Sequence, residues 1–442
     1  MTDRRLILGV HLGISRRTFA LTDPEQNLDE SLRIAQLADE GGLDLLFRGD
    51  FIQFKKEAVN PDRPIFALDP LVETTALAAH TKRIGLVATL STTFNVPYIL
   101  ARQLQTLDHI SGGRIGWNAV TSFDGEGHFG LDVIPDQPER YRLASEFIDI
   151  LNALWSSWSP GSLYIGDDGL LKVDKNKIRD VDYRGTYRSS RGGLGVPRSR
   201  QGWPLQFQAG ASSYGIAFAA QYAEAIFAAA PTAGHAERFY ASIHDAVKAR
   251  GDGRQPPVIL PALILTLADT AEAAREKYVQ ANAHINYASG VKALEGQLNG
   301  IRLDDLDLDQ PVPIERFNTE GSAEGRRRIS RQQLYRELVE SGLTLRRILE
   351  IHSIGNTHHI FVGSYDEAAA YIRDWYDKRR ADGFLVGFYG DEQGLENFLE
   401  HVAPQLADIR QPVDTPRDLA RAPGRAGAGM SAHRLALSAS GN

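Results

Sequence analysis

The chain contains no cysteine, which excludes disulfides, thiolate metal ligands and a cysteine nucleophile together. It also lacks any uninterrupted apolar run long enough to cross a bilayer as a helix. The excess of one charge sign is small. A formal net charge of -7 over 442 residues offers no counter-charge for a phosphate backbone, and Lys and Arg are spread along the chain. Nucleic acid is therefore not an expected partner. No G-x-G-x-x-G lies between a strand and a helix; the GRAGAG at Gly424 falls in the C-terminal stretch, so no dinucleotide-binding domain is expected. A metal hydrolase built on a barrel would place His-x-His at the end of the first strand. Here His11 stands alone, and no metal is expected. Arg4-Arg5 followed by LILGVHLG superficially resembles a signal peptide, but the apolar run is only a strand long and holds a His. It reads as a first β-strand of a soluble, cytoplasmic protein.

What is present is alternation. Short apolar runs begin at Leu6 (LILGVHL), Leu43 (LDLLFRG), Ile84 (IGLVATL), Arg114 (RIGWNAV), Pro204 (PLQFQAG), Ala225 (AIFAAA), Val258 (VILPALILTL) and Gly383 (GFLVGFY). Between them lie longer segments with helical spacing, such as DESLRIAQLADEGG, LVETTALAAHT, ILARQLQTLDHISGG and ERYRLASEFIDILNALWSSW. Eight strands joined by helices predict an α/β fold, a (β/α)8 TIM barrel. Two segments interrupt the alternation: about 161–202, which includes the hairpin-like DYRGTYR with Tyr183 and Tyr187, and about 286–356, with LDDLDLD and RRRISR. Both read as insertions at the C-terminal mouth of one domain spanning 1–411, serving as lid or as interface. Residues 412–442 lack periodicity and are expected to form a disordered tail.

In such a barrel the active site is built at the C-terminal ends of the strands. Those ends are polar here: Arg48-Gly49-Asp50, Ser91-Thr92-Thr93, Asn118 to Ser122, and Gly210 to Ser213. SGGRIGWNAVTS (Ser111 to Ser122) sets amide and hydroxyl groups among small and apolar residues, as the polar edge of an isoalloxazine requires. An Asn and a Thr that merely satisfy a turn would look the same. FQAGASSYG (Phe207 to Gly215) ends a strand, turns on small residues and opens a helix with Ser212-Ser213. That is a phosphate site by chemistry, although an ordinary serine cap has the same sequence. Arg16, Arg17 and Arg48 near the mouth could attract a carboxylate or sulfonate, or pair with Asp and Glu.

The ordered set LVETTALAAHTKRIGLVATLSTTFNVPYILARQLQTLDHISGGRIGWNAVTS, ERYRLASEFIDILNALWSSW, PLQFQAGASSYGIAFAAQYAEAIF and FVGSYDEAAAYIRDWYDKRRADGFLV resembles the nitrilotriacetate and dibenzothiophene-sulfone monooxygenase branch of the bacterial luciferase family. The resemblance covers about residues 40–410. It implies a TIM barrel, reduced FMN as a dissociable cofactor, a separate NAD(P)H:FMN reductase, and dioxygen used to oxygenate a small organic substrate, with possible cleavage of a carbon-heteroatom bond. It also implies a homodimer or homotetramer. By the same resemblance Asp50 is the acidic residue after strand two, Ser91 and Thr92 approach the flavin ring, and Asn118 and Thr121 contact it. Tyr141 reaches the phosphate, and Gly210, Ser212 and Ser213 form the phosphate loop. The chain departs from the family after strand one, where LGISRRTFALTD lacks the usual Gly-His pair. His11 and the pair His358-His359 are the replacement candidates as proton donors, although a strand His is more often a core residue and an adjacent pair is often on the surface. Two alternatives share the barrel: a deazaflavin-dependent oxidoreductase transferring hydride, and a flavin-binding relative without turnover.

Overall fold

The computed structural model describes residues 4–15, 26–50, 52–54, 56, 68–283, 285–298, 301–317, 329–355, 357–410 and 416–419. Eight parallel strands close on themselves: β1 (Ile7–His11), β2 (Leu45–Arg48), β3 (Gly85–Ser91), β4 (Ile115–Val120), β5 (Leu205–Gln208), β6 (Ala225–Ala228), β7 (Val258–Ala268) and β8 (Gly383–Phe388). Neighbours in this series pair with each other, and β8 returns to β1 with Gly383 opposite Ile7. The circle is the expected (β/α)8 barrel, and each of its strands falls on one of the eight apolar runs, with β3 and β7 each running one residue past the end of theirs.

The runs are continuously apolar because both faces of each strand are covered. Leu8, Leu46, Leu86 and Trp117 face the surrounding helices, whereas Ile7, Leu45, Phe47, Val87, Leu205, Phe207, Leu260 and Leu385 fill the barrel axis. The covering helices include α1 (Gln26–Glu40), α2 (Pro70–His80), α3 (Pro97–Ile110), α4 (Gln137–Trp155), α5 (Ser213–Tyr222) and α6 (Ala233–Arg250). Their starts are encoded locally. Asp69, Asp136, Ser212 and Thr232 cap α2, α4, α5 and α6, each accepting a backbone N–H of the first turn. On the outer face Trp117 packs against Phe147 and Trp155 of α4, with ring centroids 6.4 Å away in both cases. Truncating Trp117 to Ala would cost about 3–5 kcal/mol.

Between α4 and β5 the chain makes two antiparallel hairpins, Leu163–Ile165 with Leu171–Val173 and Asp182–Arg184 with Ser189–Arg191. The second contains the DYRGTYR motif. Between β7 and β8 come α7 (Ala271–Asn282), α8 (Tyr287–Gln297), α9 (Ile329–Glu340) and α10 (Leu345–Ser353), an outer strand His359–Ser364, and α11 (Tyr365–Asp377). Leu294, Leu338, Leu345 and Leu349 of these helices share a core with Ile264 of β7 and Ile360 of the outer strand. One edge of β7 serves two partners in succession. Val258–Pro261 pair with β6, and Leu263–Ala268 pair with the outer strand. The change falls at Pro261, which has no N–H to donate.

Most of the stretch expected to be a disordered tail lies outside the described residues. Within it, Pro416–Leu419 form a helical turn whose buried Arg417 bonds to Glu224 and to the carbonyls of Trp203 and Pro204. No described helix is long and apolar enough to cross a membrane, and no group of three or more His, Cys, Asp or Glu among the described residues could hold a metal ion.

Candidate active site

Alternate residues of a barrel strand face the axis, so the last inward position of each strand lines the mouth. Thr89, Asn118 and Phe207 stand in register on β3, β4 and β5. Asn118 is buried; its Nδ2 donates to Thr89 Oγ1 at 3.1 Å, while its Oδ1 is buried with no partner among the described residues. A buried amide oxygen without a donor is costly, by about 1–3 kcal/mol, unless a ligand supplies one.

Beyond Asn118 the chain turns, and residues distant in sequence meet. The side chains of Ser212 and Thr121 hydrogen-bond the Tyr141 hydroxyl. Burial raises the Tyr141 hydroxyl above the ordinary phenol range and these bonds lower it in part, so it stays protonated. Ser212 also accepts from Gly215 N at 3.1 Å and from Gln137 Nε2 at 3.2 Å. A Cβ on Gly210 would lie 2.9 Å from the Tyr141 oxygen; one on Gly215 would lie 3.0 Å from that oxygen and 2.9 Å from the Gly210 backbone. Glycine is required at both positions by this close approach. Hydroxyls, bare backbone and the first turn of α5 make the cradle that an anionic phosphate needs. Ser213 begins α5 and is exposed.

Ser91 and Thr92 shape the loop after β3. Ser91 Oγ accepts from Thr93 N at 3.1 Å and from Ser122 Oγ at 2.8 Å; Thr92 places both its N–H and its hydroxyl on Val120 O, at 2.9 and 3.1 Å. Both are buried, and their polar groups tie β3 to β4. Arg188, from the second hairpin, donates to Thr92 O at 3.4 Å and Asn95 O at 3.3 Å. The hairpin is itself held by Glu146 of α4, which accepts from the backbone of Thr186, Tyr187 and Arg188 at 2.7, 2.8 and 2.9 Å.

The opposite wall is aromatic. Phe47, Phe207 and Phe227 cluster, with Phe47 and Phe227 centroids 4.4 Å apart. His11 packs 5.5 Å from Phe47 and from Phe227, and His358 packs 5.0 Å from Phe227 on another side. The two histidines thus converge on one ring. His11 Nδ1 has no hydrogen-bond partner from another residue among those described. Burial, with a contribution from Arg48, pushes the His11 imidazole down to about 4. His358 is buried as well. His359 is not at the surface either: Nδ1 meets Pro231 O at 2.7 Å, Nε2 meets the Tyr371 hydroxyl at 2.7 Å, and burial pushes its imidazole down to about 4.

Of the arginines expected near the mouth, Arg48 takes the second option. It points away from the axis, ion-paired to buried Glu73 and bonded to Leu68 O at 3.1 Å. Arg16 and Arg17 lie outside the described residues. Asp50 is half-buried just past β2. The aromatic wall and Gly215 escaped sequence reasoning, although period-two reading of β2, β5 and β6 places Phe47, Phe207 and Phe227 on the inner face.

The profile of the family described as luciferase-like monooxygenase matches residues 10–383. The chain is 34% identical over 409 residues to N-acetyl-S-(2-succino)cysteine monooxygenase of Bacillus subtilis (strain 168), covering 90% of each chain. It is 32% identical over 413 residues to nitrilotriacetate monooxygenase component A of Aminobacter aminovorans, again covering 90% of each. The structure of EDTA monooxygenase from Chelativorans sp. BNC1 superposes with a TM-score of 0.74 at 27% identity, over 94% of this chain and 98% of that one. These matches do not favour the deazaflavin alternative. The chain belongs to the luciferase-like monooxygenase family and is a flavin-dependent monooxygenase.

Proposed function

We propose that the chain is the oxygenating component of a two-component system, taking reduced, dissociable FMN from a separate NAD(P)H:FMN reductase and oxygenating a small organic molecule. The observation that carries this reading is a single one. A glycine and hydroxyl cradle (Gly210, Gly215, Ser212, Thr121, Tyr141) lies at the mouth that also holds the unsatisfied Asn118 Oδ1. The cradle suits the FMN phosphate, and Asn118 suits a ring N–H. Thr121 belongs with the phosphate side, through its bond to Tyr141, more than with the ring. Ser91 and Thr92 act by shaping the loop that borders the ring, and Asp50 and Ser213 stand at the rim.

When bound, reduced FMN supplies the two electrons that split dioxygen, one oxygen atom entering the substrate and the other leaving as water. The protein binds, orients and excludes water. The aromatic wall keeps the reacting side dry. His11, neutral down to about pH 4, serves as a wall residue rather than a charged acid, which leaves His358 as the residue that delivers a proton. The named relatives act on molecules with carbon-sulfur or carbon-nitrogen bonds, so a substrate of that class, cleaved next to the heteroatom, fits this chain. The solvent-facing sides of α2 and α3 carry Val72, Ala79, Tyr98, Ile99 and Ile110 and little charge, which supports a homodimer through them. Light scattering gives the mass directly.

The test is anaerobic titration with oxidised and reduced FMN, followed by turnover with dioxygen, candidate substrates and a generic NADH:FMN reductase. Tighter binding of reduced FMN and product formed only with the reductase present support the reading. Equal affinity for both redox states, with no product, overturns it.

A further inference from the structure

The backbone around His358 is unusual on both sides. Thr357 is buried and sits at φ 73°, a left-handed conformation that a β-branched residue rarely tolerates. Gly355, two residues earlier, is not in that conformation, so the left-handed turn after α10 falls on the threonine instead of the glycine that would adopt it without strain. The turn is tight: Thr357 N donates to Ile351 O at 3.0 Å, and His358 N donates to Gly355 O at 2.7 Å. On the far side His359 is bound at both ring nitrogens, to Pro231 O in the exit from β6 and to the Tyr371 hydroxyl of α11. Its ring lies parallel to Tyr371 at 5.4 Å. His359 also opens the outer strand, paired with Leu263 of β7. The residues before and after His358 are therefore both fixed, one by a strained turn and one by three separate elements. Strain held in place by surrounding contacts is a mark of a functional constraint.

We propose that Thr357 and His359 are positioning residues that aim the His358 imidazole at the mouth, against Phe227. This rests on the reading of His358 as the group that delivers a proton, but its geometric content stands by itself. His359 acts as a neutral strut, donating through Nδ1 to a carbonyl and accepting at Nε2 from a hydroxyl. Thr357 sets the direction of the peptide that leads into His358.

The test uses the full chain with four variants. His359→Leu removes both ring bonds and keeps a buried side chain; His359→Gln can restore one donor and one acceptor; Tyr371→Phe removes one hydroxyl alone; Thr357→Gly keeps the left-handed turn without the strain. Crystal structures of these proteins without flavin report the His358 ring position. His359→Leu is expected to move the ring from Phe227 and lower kcat about tenfold or more, since small misplacements are costly, with KM for reduced FMN unchanged. Tyr371→Phe should do so to a smaller extent. His359→Gln should recover most of the loss, and Thr357→Gly, which keeps the left-handed turn, should keep the ring in place; a ring displaced in Thr357→Gly overturns the role given to the Thr357 backbone. A His358 ring that stays on Phe227 in His359→Leu overturns the positioning role, whatever His358 itself does. A His358→Gln protein with unchanged turnover instead overturns the proton-delivery reading, and leaves the structural result to decide the positioning on its own.

Discussion

The two sides of the barrel mouth are built in different ways. On the proposed cofactor side, Thr121, Tyr141, Gly210 and Ser212 come from the exits of β4 and β5 and from α4 between them, and meet through hydroxyls and bare backbone. On the aromatic side, His11, Phe47, Phe227 and His358 come from the first, second, sixth and seventh units of the chain and meet through ring contacts. Hydrogen-bonding cradles leave short motifs in sequence because their geometry is local. An aromatic wall leaves none, because each ring looks like any other core residue until the barrel closes.

This contrast implies that variants on the two sides should fail differently. The largest effect is expected on the aromatic side: His358→Gln should lower kcat about a hundredfold, the usual contribution of a positioned acid, without altering the Kd for reduced FMN. A rise in that Kd would place His358 among the cofactor contacts and erase the distinction. On the cofactor side, Gly215→Ala forces a side chain into the Gly210 backbone, an overpacking cost of about 1–3 kcal/mol that weakens reduced FMN by up to about a hundredfold. Anaerobic fluorescence titration measures it, with circular dichroism as the control for folding. Asn118→Leu removes one ring partner and also the unsatisfied oxygen, so the loss should be nearer tenfold in Kd. An unchanged Kd would remove Asn118 from the ring contacts.

The smallest effect concerns stability. The folded His11 imidazole titrates near 4, below the ordinary value of about 6.5, so the unfolded chain takes up its proton first. The contribution is fully present above about pH 6.5 and is lost as pH falls toward 4. His11→Phe, which keeps the ring contacts, should therefore reduce the loss of stability between about pH 7 and pH 5 by up to about 2 kcal/mol. Urea unfolding of both proteins at the two pH values tests it. Parallel curves would mean that the His11 ring reaches water.

The strands were legible because each is buried on both faces, and α4 because Phe147, Leu151 and Trp155 recur at helical spacing. The hairpin Leu163–Ile165 with Leu171–Val173 was not, since Ile165, Leu171 and Val173 are exposed and its alternation reports no core. The outer strand His359–Ser364 resembles a barrel strand in composition yet stands outside the circle. Only the pairing along β7 decides that. Arg48 was ambiguous for a similar reason: whether it meets a ligand or Glu73 depends on a partner twenty-five residues away.

The handover at Pro261 has a consequence for engineering. The described part of the stretch from β7 to the outer strand is tied to the barrel by the parallel ladder of Leu263–Ala268 with His359–Ser364, by Glu337 paired with His235 and Arg238 of α6, and by Lys277 paired with Asp391. The late insertion therefore behaves as a cassette with both ends riveted to the same rail. Exchanging residues 269–355 for the corresponding stretch of a relative would replace most of the insertion while the eight-strand ring, its cradle and the turn that carries His358 keep this chain's own residues.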